Sequence, residues 1–108
     1  MPLTLPGPVA TYLAAVKARD ADMLALCFAD DAVVHDEDRD HRGLDAIKSW
    51  KRLTDAKYRY VLEPLDASVD GNIARLRARL TGDFPGSPVE LDYVFTLEND
   101  RITSLEIQ

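Results

Sequence analysis

Behind Pro8 the apolar positions Val9, Tyr12, Leu13 and Val16 recur at steps of three and four, the spacing of an amphipathic helix with proline in its first turn. Asp20 then caps a second, short helix whose Met23, Leu24, Leu26, Cys27 and Phe28 are nearly all apolar, as an interior element requires, and Asp30-Asp31 ends it. Two short strands follow, the first over residues 32–36 and the second before the break at Gly43. From Leu44 the positions Leu44, Ile47, Trp50 and Leu53 return to helical spacing, with Asp45 in the first turn where it favours the helix dipole. After Lys57 the period becomes two. Four strands, over residues 58–66, 73–81, 89–97 and 102–107, are separated by Asp70-Gly71-Asn72, Pro85-Gly86-Ser87-Pro88 and Asn99-Asp100, and make an antiparallel meander. Ala74 to Leu80 is built from helix-forming residues, yet its strict alternation and the preceding Asp-Gly turn decide for strand.

These elements predict an α+β fold, α-α-β-β-α-β-β-β-β, in which three N-terminal helices pack on a strongly curved antiparallel sheet. Ala74 and Ala78 alternate with Leu76 and Leu80 on the face turned toward the helices, and such small side chains leave space for a pocket. A length of 108 residues supports one domain over 1–108. Hydrophobic residues at 46% and charged residues at 30% exclude the composition of disorder.

Charge and apolar run length narrow the partners. A net charge of −6 repels a phosphate backbone, so nucleic acid is not expected. The longest apolar runs fall far below the roughly 20 residues a membrane helix needs, and the stretch Met1-Pro2-Leu3-Thr4-Leu5-Pro6 lacks a charged segment followed by an apolar one. No membrane association and a cytoplasmic location are expected. Cys27 has no cysteine partner and lies in an apolar stretch, the setting of an inert buried thiol. Arg75, Arg77 and Arg79 form a stripe on the opposite sheet face, which Glu63 or Glu90 can balance across strands and which suits a solvated or dimer-facing surface.

The element order, with Tyr12 to Asp20, the run Leu26-Cys27-Phe28-Ala29-Asp30-Asp31-Ala32-Val33-Val34, and Gly43-Leu44-Asp45-Ala46-Ile47, resembles the nuclear transport factor 2-like superfamily. That superfamily includes SnoaL-like polyketide cyclases, ketosteroid isomerases and scytalone dehydratase, and the resemblance covers the whole chain. It implies a cystatin-like cone around a pocket for a small apolar molecule, no cofactor, and a homodimer through the outer sheet face. Matched to ketosteroid isomerase, Tyr12 takes the place of the oxyanion-binding tyrosine and Asp36 that of the proton-shuttling aspartate. An ungapped match places Asp92 at the third catalytic position. Allowing a one-residue deletion at Glu98-Asn99-Asp100 places Tyr93 there instead, and the alternation Leu91, Tyr93, Phe95, Leu97 turns Asp92 outward. Trp50 resembles the aromatic that lines the isomerase pocket, and Phe28, Val34, His41 and Tyr58 are further expected wall positions.

In such a pocket an aspartate removes a proton from carbon beside a carbonyl, while a phenol donates a hydrogen bond to the enolate oxygen. His35 and Asp36 must face opposite sides of a regular strand, so one of them is inward, and a slipped register would exchange them. The acidic run from Asp36 to Asp40 begins like a calcium loop, but His41 stands where glycine is needed and Ile47 where a bidentate glutamate is needed, so no metal is expected.

Overall fold

The structure, a computed structural model, describes residues 5–108; the absence of a leader expected over Met1 to Thr4 lies outside the described residues. Helix α1 spans Gly7–Ala18, a 3₁₀ helix spans Ala21–Leu26 and helix α2 spans Leu44–Lys57. The strands are β1 (Phe28–Asp36), β2 (Arg39–Arg42), β3 (Tyr60–Asp70), β4 (Ile73–Gly82), β5 (Val89–Glu98) and β6 (Arg101–Ile107). They form one curled, unclosed sheet in the order β2-β1-β6-β5-β4-β3, with the helices on its inner face.

The 3₁₀ helix is shorter than its apolar run suggests. Asp20 caps it as expected, its side chain accepting from the Asp22 N–H at 3.0 Å. Asp30-Asp31 does not end a helix, however, because the chain has already entered β1 at Phe28. Phe28 pairs with Ile102 of β6 in parallel, and the Ile102 N–H donates to the Cys27 carbonyl at 2.7 Å. This long-range pairing outcompetes local helix propensity. An irregularity between Phe28 and Val33 leaves both Asp30 and Asp31 exposed while Phe28, Ala32 and Val34 stay buried. The parallel β1–β6 pair also joins the N-terminal hairpin to the expected meander of β3 to β6.

Phe28, Val34, Leu76, Phe95, Ile102 and Leu105 of the sheet are buried against Val9 and Tyr12 of α1, Leu24 of the 3₁₀ helix and Ile47 of α2. Each large apolar side chain so buried contributes roughly 1.5–3 kcal/mol. Cys27 belongs to this core, and burial pushes its thiol up to about 12, which keeps it protonated and unreactive. Gly82 sits opposite Tyr60 in the β3–β4 ladder, where a Cβ would lie 1.9 Å from the Arg59 carbonyl oxygen. Only glycine permits that approach, which sets where β3 begins.

Candidate active site

The β1–β2 hairpin settles which of two neighbours turns inward. Val34 is fully buried and stands opposite His41, so Asp36, two residues on, shares its inner face. His35 faces out and pairs with Asp40. Glu37 and Asp38 form the tight turn beyond, with φ of 53° and 61°. Asp36 is half-buried, and its Oδ2 accepts from Trp50 Nε1 at 3.0 Å. Removal from water raises the Asp36 carboxyl above the usual carboxylate range, and the Trp50 hydrogen bond to the charged form pulls part of that back.

Four tyrosines line the same cavity of about 370 Å³, and three of them come from regular elements: Tyr12 from α1, Tyr60 from the start of β3 and Tyr93 from β5. The Tyr12 and Tyr93 ring centroids are 6.3 Å apart, and Phe28 and Phe95 meet the Tyr12 ring edge-on at 6.0 and 5.5 Å. Among the described residues no hydrogen bond engages any of the three hydroxyls, and no buried side-chain polar atom lacks a partner, so these oxygens open onto the cavity. Burial is the main cause that pushes all three phenols up, Tyr60 to about 12 and both Tyr12 and Tyr93 well above the ordinary phenol value. Each keeps its proton at neutral pH and remains a hydrogen-bond donor.

Of the residues singled out from sequence, Tyr12, Asp36, Trp50, Tyr58 and Tyr93 line the cavity. Asp92 does not. It stands opposite Arg77 on the outer face, where Arg77 Nη1 donates to its Oδ1 at 2.9 Å and Arg77 Nε donates to Glu90 at 3.1 Å. The alternation that buries Tyr93 and Phe95 requires this, so Tyr93 takes the place in the cavity that the ungapped match assigned to Asp92. Phe28 and Val34 are core residues behind the wall, and His41 packs against Trp50, ring centroids 5.9 Å apart, without reaching the cavity.

Tyr60, Phe84 and Glu37 also line the cavity and were not anticipated. Tyr60 was legible as an inward position of its strand. Phe84 meets Tyr58 edge-on at 6.0 Å from within the β4–β5 connection, where no periodicity assigns a face.

The SnoaL-like domain model matches residues 9–105. The chain belongs to the SnoaL-like family. This SnoaL-like chain is 47% identical to a candidate polyketide cyclase, protein SMa1630 of Sinorhizobium meliloti, with 96% of this chain and 95% of that one covered and a TM-score of 0.93. A Catenulispora acidiphila protein with a ketosteroid isomerase-like fold, solved in complex with trimethylamine, is 23% identical over 97% of this chain and 86% of that one, with a TM-score of 0.84. A cystatin-fold protein from Novosphingobium aromaticivorans shares the fold at 19% identity and a TM-score of 0.80, with 99% of each chain covered. Among curated proteins, none matches. No described helix is long and apolar enough to cross a membrane.

Proposed function

We propose that this SnoaL-like domain binds a small apolar carbonyl compound and catalyses proton transfer beside its carbonyl, as an isomerase or cyclase that uses no cofactor. The observation that carries this reading is that Asp36, Tyr12 and Tyr93 line one cavity whose other walls are largely aromatic and aliphatic. Ionised Asp36 removes a proton from the carbon next to the carbonyl; the C–H electron pair becomes the enolate, whose oxygen accepts from the Tyr12 and Tyr93 hydroxyls. The protonated Asp36 then returns that proton to a different carbon, so the isomerisation neither gains nor loses atoms. Burial of Asp36 makes it a stronger base than a solvated carboxylate. The relation to the Sinorhizobium candidate cyclase supports this class of chemistry. On this reading the protein acts in the cytoplasm, where a lone buried thiol such as Cys27 stays reduced.

The test is turnover of a β,γ-unsaturated ketone. The unaltered protein should shift the double bond into conjugation, and Asp36→Asn should lose that activity while its circular dichroism stays the same. No turnover of such ketones by the unaltered protein would remove the isomerase reading.

A second reading, a non-catalytic binding or dimerisation module, is favoured by the outer sheet face. There Arg77 and Arg79 alternate with Glu90 and Asp92, and a groove runs past Ser68, Arg75 and Val94. Such a checkered surface is self-complementary under a two-fold axis, so a second copy is the partner it fits. Sizing chromatography should show a dimer at low salt that loosens as salt screens the pairs; ketone binding without turnover would favour this reading of the cavity.

A further inference from the structure

Tyr60 lines two cavities. On one side it lines the chamber of about 370 Å³ together with Asp36, Tyr12 and Tyr93. On the other it lines a groove of about 600 Å³ between α1 and β3, walled by Leu13, Val16 and Leu62 with Lys17, Arg19 and Glu63 also in its lining. The two linings have no other residue in common among the described residues, so Tyr60 is where they adjoin.

Both sides of the fold position Tyr60. From the sheet, Tyr60 pairs with Gly82, whose missing Cβ lets the β3 backbone come within a distance no other residue tolerates. From the helix, the buried Lys51 places its Nζ 5.9 Å from the Tyr60 ring centroid and is itself tied to Asp55 one turn along α2. The strand thus fixes the Tyr60 backbone and the helix packs a cation against its ring.

We propose that Tyr60 is a specificity-determining residue: its ring closes one end of the chamber and sets the greatest length of ligand accepted. The largely apolar groove behind it becomes the seat of a ligand's aliphatic tail once the ring is trimmed. This inference rests on the chamber being a site for apolar carbonyl compounds.

The probes are straight-chain methyl ketones of increasing length. The readout is fluorescence of Trp50, the only tryptophan in the chain and part of the chamber wall. For the unaltered protein, affinity should rise by about fourfold per methylene until the chamber is full and then fall. In Tyr60→Ala that limit should move to a longer chain. Leu91→Ala also enlarges the chamber, but Leu91 does not line the groove, so its limit should move less. Should Tyr60→Ala fail to fold, Tyr60→Leu keeps an apolar side chain at the inward position and carries the same comparison. An unchanged limit in the Tyr60 variants, or an equal shift in Leu91→Ala, overturns this inference alone. If the unaltered protein binds no ketone, the chamber reading falls and this one with it.

Discussion

Trp50 Nε1 donates to Asp36 Oδ2 at 3.0 Å, joining the middle of α2 to the end of β1 at the wall of the chamber. That bond favours the charged carboxylate against the burial that disfavours it. Trp50→Phe removes the donor and keeps an aromatic ring, so the Asp36 carboxyl should titrate at higher pH than in the unaltered protein. Carbon-13 NMR of the Asp36 carboxyl measures the shift, and a downward or absent movement would contradict this balance.

The same burial has a consequence for stability. The folded protein holds the Asp36 proton to higher pH than the unfolded chain does, so the folded state binds more protons between the two values and stability falls as pH rises through that window. The Asp36 contribution is fully present below the unfolded value and lost above the folded one. Asp36→Asn, which still offers an acceptor to Trp50, should therefore be at least as stable as the unaltered protein at pH 7, and the difference should shrink toward pH 3. Thermal unfolding across that range checks the sign.

Tyr12 is 2% exposed, yet among the described residues no group hydrogen-bonds its hydroxyl. Tyr12→Phe should change stability by less than about 1 kcal/mol, since no buried partner is stranded. If the phenol binds the enolate oxygen, kcat should fall by about 10²–10³-fold. Steady-state kinetics beside urea unfolding separate the two effects.

Lys51 is 1% exposed, and the nearby Asp55 carboxylate is itself mostly buried. Lys51→Met leaves that carboxylate without its cation and should destabilise the fold by about 3 kcal/mol. Adding Asp55→Leu should restore much of the loss. Urea midpoints of the single and double variants decide whether the pair or the packing is responsible.

Asp92 lies outside the chamber, so Asp92→Asn should alter ketone binding and turnover less than twofold. Its half-exposed pair with Arg77 is worth at most about 1 kcal/mol. A large loss of turnover would instead place its carboxyl in the reaction.

Much of this site was readable one element at a time. Periodicity turned Tyr93 inward and Asp92 outward because successive strand side chains alternate, whatever the strand pairs with. It also put Val34 and Asp36 on one face. The extent of β1 was not readable: Asp30-Asp31 looks like a helix stop, and only the parallel pairing of Phe28 with Ile102, far along the chain, makes the segment a strand. Phe84 gives no periodic signal because it lies in a connection, whose side chains take their directions from what they land on.

The sequence by itself determined the α+β class, the order of elements and the alternation that sets His35 against Asp36 and Asp92 against Tyr93, since helix and strand periods are local properties of the chain; which of His35 and Asp36 turns inward was decided by the fold. Only the tertiary structure decided that Tyr60 stands between two cavities and that Trp50 bonds Asp36. Those relationships depend on the distance between elements, set by sheet curl and by the close approach at Gly82, which no spacing along the chain encodes.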